Sequence, residues 1–324
     1  MSARMSLQAR IKQYLVERRH LGFNSTTMEY ALARLSSYVA KVGHHGPLTV
    51  DLMSDWARQA KGGHGSRATA ARQLGMLRPF TRWLQQFEPA TEVPTDAVFG
   101  SIPGRVTPHI YREDEIVQLM GEAVKLGPVD GLRGKVVQTL FGLMACTGLR
   151  ISEALALRDA DVDMKSGVLT IHQSKFGKSR LVPLHPSAVD ALVHYRKQRD
   201  RHVQPSADTP FFVSTRGRLL GQPIGDRQIH RIFEQLRRQL RWVDRGAHGH
   251  PRVHDLRHSF AVRRLVLWHE QGEDVDQKML ALSTYLGHAR ISNTYWYLTG
   301  VPELMSLAAT RFELFADPWE SDDE

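Results

Sequence analysis

A chain of 324 residues is longer than one hydrophobic core usually organises, so its length points to two domains of roughly 100 and 200 residues. Hydrophobic residues at 42% are enough to build cores, which excludes a disordered chain, and no apolar run approaches the ~20 residues that would span a bilayer. The segment Met1–His20 lacks an apolar stretch with a small-residue cleavage site, and a single cysteine, Cys146, makes no internal disulfide; both point to a cytoplasmic chain. Net charge is +9, but its distribution says more: residues 1–106 carry +7, residues 107–312 carry +8, and the last twelve hold six acids and no base. A basic excess spread over both halves suits a protein that embraces a polyanion, although many basic enzymes carry a similar excess without touching nucleic acid.

In chain order, residues 5–43 place apolar side chains at helical spacing (Leu7, Ile11, Tyr14, Leu15, then Tyr30, Leu32, Leu35, Tyr38, Val39), with Asn24-Ser25-Thr26 as the capping run between two helices. Two more helices, over about 49–60 and 66–87, flank the loop Lys61-Gly62-Gly63-His64-Gly65 and complete a small bundle over residues 1–90. Pro89, Pro94, Pro103 and Pro108 deny the next stretch any long regular element, so residues 91–108 read as a linker. Helical periods resume over 112–126, 134–147 and 149–157. A hairpin follows, with strands 168–172 and 180–184 around the turn Lys175-Phe176-Gly177-Lys178, and Pro183 marks the return strand as an edge. Residues 186–199, 225–241, 253–270, 276–286 and 302–315 are again helical in period, and residues 316–324 form an acidic tail. The expected fold is mainly α with a small antiparallel β-sheet: an N-terminal helical bundle and a C-terminal α+β domain over 109–315.

No cysteine pair and no His-Glu-x-x-His motif offers a zinc site. Gly177-Lys178-Ser179 is no phosphate loop either, since His172 stands where that loop needs glycine. His248, His250, His254 and His258 cluster, but no carboxylate or thiol supports them at metal-ligand spacing, so chemistry without metal or other cofactor is expected. Arg150 opens a helix with Glu153 three residues on, where a carboxylate can hold a guanidinium; a plain surface ion pair has the same spacing. His254 and Arg257 share a helix face. Lys175 sits at a hairpin tip, and Thr294-Tyr295-Trp296-Tyr297 begins a segment after Leu286-Gly287-His288.

Taken together, Thr147-Gly148-Leu149-Arg150-Ile151-Ser152-Glu153, the lysine hairpin Ser174–Leu184, His254-Asp255-Leu256-Arg257-His258, Leu286-Gly287-His288 and a tyrosine nine residues later resemble the tyrosine recombinase (phage integrase) family. The context Leu282–His288 and the Tyr295–Leu298 ending are similar to recombinases of bacterial mobile elements. The resemblance implies a core-binding bundle and a catalytic domain that close on double-stranded DNA carrying recombination sites. It also implies a site-specific recombinase that cuts and rejoins DNA through a 3′-phosphotyrosyl link.

In that reaction a phosphodiester gains negative charge as phenolate approaches, so Arg150 and Arg257 are expected to clamp its nonbridging oxygens, each such donor typically worth about 3–4 kcal/mol. The same resemblance implies Tyr297 as nucleophile, with Tyr295 as the alternative two residues away. His254 is the candidate base, Lys175 the acid at the leaving 5′-oxygen with Lys178 as its neighbour, His288 a phosphate donor, and Glu153 the carboxylate that orients the cluster. Exchange of two duplexes needs four sites, hence a homotetramer or a mixed complex with sister recombinases, docked partly through the helix over 302–315. The alternatives are a type IB topoisomerase-like relaxing enzyme, a non-catalytic DNA-binding protein of the same fold, and a metal-dependent nuclease.

Overall fold

The computed structural model describes residues 5–23, 26–59, 66–100, 104–127, 131–172 and 179–300. The expected helix over 302–315, the acidic tail and the lysine turn all lie outside them. The chain divides into two compact units, residues 1–105 and 106–324.

The first unit contains α1 (Leu7–His20), α2 (Thr26–Lys41), α3 (Val50–Arg58) and α4 (Arg67–Leu84). Side-chain caps fix three of the starts: Ser6, Thr49 and Ser66 each accept a hydrogen bond from a backbone N–H three residues on, satisfying a donor that has no partner within its helix. Apolar side chains of the four helices meet in a core of Ile11, Tyr14, Leu32, Leu35, Met53, Trp56, Leu74, Leu77 and Phe80. Part of the proline-rich stretch after α4 is bound to this bundle. Glu92 N–H donates to the Leu48 carbonyl at 2.8 Å, Gln85 Nε2 to Thr91 at 2.7 Å and Arg78 Nε to Pro94 at 2.8 Å. Proline forbids a regular element there but leaves carbonyls that helix side chains can reach.

The second unit holds α5 (Glu113–Val124), α6 (Leu132–Thr147), α7 (Ile151–Ala156), β1 (Val162–Asp163), β2 (Val168–Ile171), β3 (Arg180–Pro183), α8 (Pro186–Arg199), α9 (Asp226–Leu240), α10 (Asp255–Glu270), α11 (Val275–Leu286) and α12 (Ser292–Gly300). The strands pair antiparallel in the order β1-β2-β3, with Leu169 opposite both Val162 and Val182 and Pro183 on an edge strand. Helix α6 is apolar on nearly every side, so it runs through the core, where Val136, Val137, Leu140, Phe141 and Met144 are buried with α5, α8 and α10 against it. Among the α-helices and strands described, β1, too short to show alternation, and α12, which carries both candidate tyrosines, were not anticipated from periodicity. Among the described residues no helix is long and apolar enough to cross a membrane.

Candidate active site

Three helix ends in the second unit converge. Helix α6 stops at Gly148, whose φ of +63° is the left-handed conformation that favours glycine, and a Cβ there would lie 2.6 Å from the Phe260 ring. The tight turn lets α7 start at once, with Arg150 as its N-cap residue. Glu153 Oε2 accepts the Arg150 backbone N–H at 3.0 Å, and Glu153 Oε1 accepts from the Arg150 guanidinium at 2.6 Å. Helix α11 ends at Gly287, also left-handed at φ +66°, and here a Cβ would meet the Arg180 guanidinium at 2.8 Å.

Guanidiniums bridge these ends. Arg150 donates to the Gly287 carbonyl at 2.9 Å. Arg257, buried in the first turn of α10, donates to the Gly148 carbonyl at 2.7 Å and to the Leu286 carbonyl at 2.6 Å, using the orphan acceptors that helix C-termini leave. Arg180 on β3 donates to both oxygens of Glu153, at 3.1 and 2.9 Å, and to the Tyr285 carbonyl at 2.7 Å. Thus one carboxylate is hydrogen-bonded to two guanidiniums and lies within electrostatic range of a third, Arg257, an excess of two positive charges in a poorly solvated place.

The electrostatics follow. Burial alone would raise the Glu153 pKa, but its hydrogen bonds from Arg180 and Arg150 outweigh that and hold it at about 2. Burial, reinforced by the Arg150 charge, lowers Arg257 to about 10. The protein packed around His254, and then the Arg257 charge, lower that imidazole to about 4, although its surface remains exposed.

Tyr297, on α12, is 2% exposed, and its hydroxyl lies 2.9 Å from His258 Nδ1. Tyr295, two positions back, is 38% exposed. The His254 ring stands perpendicular to that of His258 at 4.8 Å, and the His288 ring stacks on Tyr297 at 6.4 Å. His288 Nδ1 is tied to Thr294 Oγ1 at 2.7 Å, joining the end of α11 to α12. The structure therefore brings together Arg150, Glu153, His254, Arg257, His288 and Tyr297, while Lys175 lies outside the described residues. Two members of the cluster have no expected role from the sequence: Arg180, within the hairpin Ser174–Leu184, and His258, one of the clustered histidines. The four-residue step from His254 was a signal that both histidines share a face. Among the described residues no group of three or more His, Cys, Asp or Glu side chains is arranged to hold a metal ion.

Residues 110–301 match the model of the phage integrase family. The y4rB protein of Sinorhizobium fredii, described as an integrase/recombinase, is 38% identical over 94% of this chain and 96% of its own length. Tyrosine recombinase XerC of Rhizobium meliloti is 33% identical over 78% of this chain and 72% of its own. Among solved structures, the Tn1549 transposon integrase in complex with transposon right end DNA has the same fold, at a TM-score of 0.65 and 16% identity over 95% of this chain and 99% of that one. The chain belongs to the phage integrase family, and it is an enzyme of the tyrosine recombinase type.

Proposed function

We propose that the protein is a site-specific recombinase of double-stranded DNA in which Tyr297 attacks a phosphodiester to give a 3′-phosphotyrosyl link and a free 5′-hydroxyl. The observation that carries this reading is the meeting of a buried tyrosine hydroxyl with histidines 254, 258 and 288 beside guanidiniums whose charge one carboxylate does not balance. A phosphodiester brings one negative charge and approaches two at the transition state, which fits that excess. Arg150 and Arg257 clamp nonbridging oxygens with the N–H groups not turned to carbonyls or Glu153; a planar five-donor fork suits this better than an ammonium. His254 and His288 flank the phosphate, Glu153 orients Arg150 and Arg180, and Lys175 protonates the departing 5′-oxygen.

Because the phosphotyrosine conserves the energy of the broken bond, rejoining to another 5′-hydroxyl requires no nucleotide hydrolysis. Two duplexes present four strands to cut, so the working assembly is four chains on DNA, identical or shared with sister recombinases, acting on the nucleoid. Residues 1–90 serve as the core-binding domain, 91–108 as linker and 109–315 as the catalytic domain. Phosphate contacts dominate affinity, so binding weakens steeply with salt.

The test is a nicked suicide duplex carrying the site recovered from DNA fragments covalently held by the wild-type protein. Tyr297→Phe is expected to bind that duplex and form no covalent adduct, whereas adduct formation by this variant transfers the role to Tyr295. Relaxation of supercoils without recombinants at that site marks a topoisomerase instead.

A further inference from the structure

His258 lies four residues past His254 on α10, and its ring is held on several sides: edge-on to His254 at 4.8 Å, to Trp296 at 6.0 Å and to Tyr297 at 5.6 Å. That packing fixes the direction of Nδ1, 2.9 Å from the Tyr297 hydroxyl. A tyrosine hydroxyl has one proton and must present a lone pair to phosphorus, so whatever accepts the proton decides where the lone pairs point. We propose that His258 Nδ1 is the acceptor that aims Tyr297 and takes its proton during attack, a proposal that rests on Tyr297 being the nucleophile.

The step balances. The Tyr297 Oη–P bond forms as the P–O5′ bond breaks, the phenolic proton passes to His258 Nδ1, and the 5′-oxygen takes its proton from the leaving-group acid. Rejoining runs the same transfers backwards and returns the imidazole to neutral.

The environment supports transfer within the reaction and not before it. Burial first, and then the neighbouring His254 imidazole and the charges of Arg252 and Arg257, lower His258 to about 2, so the resting imidazole is neutral and able to accept. Toward so weak a base a phenol keeps its proton in the resting enzyme. The anionic phosphate arriving beside the pair is what offsets the surrounding positive charge, and this ties nucleophile activation to substrate. His254, whose surface is exposed, is left to face the phosphate.

Single-turnover adduct formation on the nicked duplex tests this. His258→Leu is expected to slow it by about 10²-fold or more while the dissociation constant for the duplex stays within about twofold. Placing 3,5-difluorotyrosine at position 297 of that variant is expected to recover roughly tenfold, because a more acidic phenol depends less on an acceptor; packing damage would not respond to phenol acidity. His258→Asn, whose Oδ1 can occupy the place of Nδ1, provides a second variant if the leucine does not fold, with a rate expected between the two. Histidine ¹⁵N resonances of the wild type, compared with Tyr297→Phe, report the hydrogen bond without touching His258, and the Nδ1 signal of His258 is expected to move.

Adduct formation by His258→Leu within about twofold of wild type, or no gain from the fluorinated tyrosine, overturns the proposal. So does a fluorotyrosine rescue confined to His254→Leu. Adduct formation by Tyr297→Phe is a different failure: it removes the nucleophile assignment itself, whatever His258 does.

Discussion

Two arginines of the second unit, Arg199 and Arg257, are equally withdrawn from water and held in opposite ways. Arg199 donates to both oxygens of Asp159 at 2.7 Å and to Asp200 at 2.9 and 2.6 Å. Burial alone would lower its pKa, but the two carboxylates more than compensate and the net shift is upward. Arg257 is held by the carbonyls of Gly148 and Leu286, dipoles without net charge, and its pKa falls. A guanidinium matched by carboxylates is a rivet that joins the end of α8 to the segment after α7. A guanidinium matched only by carbonyls keeps most of its charge unanswered, and that charge is available to an anion. Burial of an arginine therefore does not by itself mark a site; the identity of its acceptors does.

The two positions separate under substitution. Arg257→Met is expected to slow adduct formation on the nicked duplex by about 10²–10³-fold, the usual loss for one preorganised donor to a developing anion. Its folding cost is expected to be the smaller of the pair, because an unbalanced buried charge leaves with the side chain. Arg199→Met strands two carboxylates and is expected to cost about 3–5 kcal/mol in urea unfolding, with the folded fraction still forming adduct at the wild-type rate. If Arg257→Met were the less stable variant and Arg199→Met the catalytically impaired one, the distinction would be wrong.

Glu153 sharpens the contrast, since it accepts from both Arg150 and Arg180. Its folded pKa lies near 2 against an ordinary 4.5, so the stability it contributes is fully present above pH 4.5 and is lost as pH falls toward 2. The whole effect is at most about 3 kcal/mol. Glu153→Gln is therefore expected to be markedly less stable than wild type in urea unfolding at pH 7, with the gap narrowing at pH 3. Gly148→Ala puts a methyl group against Phe260 at a positive φ and is expected to cost about 1–3 kcal/mol in thermal unfolding while loosening the Arg257 anchor. At the small end, Arg158→Ala breaks an exposed pair with Asp208 and is expected to change stability by less than about 1 kcal/mol.

The helices were legible because burying one face of a helix imposes a period that needs no partner to be seen, and capping residues such as Ser6, Thr49 and Ser66 mark where it starts. The hairpin was legible from β-branched alternation around Lys175–Lys178. Helix α12 escaped because its apolar and polar residues are not segregated onto opposite faces, unlike those of the equally short α3, and β1 because two residues give no period. Of the candidate site, Arg150, Glu153, Arg257, His288 and Tyr297 stood out through motifs whose spacing is local, and the Arg150–Glu153 pair needs only the first turn of one helix.

The amino-acid order alone determined most of the helical architecture, the small edge-stranded sheet, the family, and a short set of candidate site residues. Only the tertiary structure decided which acceptors each guanidinium receives, that Arg180 shares Glu153 with Arg150 across 27 positions of chain, and that His258 meets Tyr297 across 39. The physical reason is range. Periodicity and capping act within a few residues, whereas the charge balance of a buried site depends on side chains delivered by helix ends far apart in the chain, and no local pattern encodes their meeting.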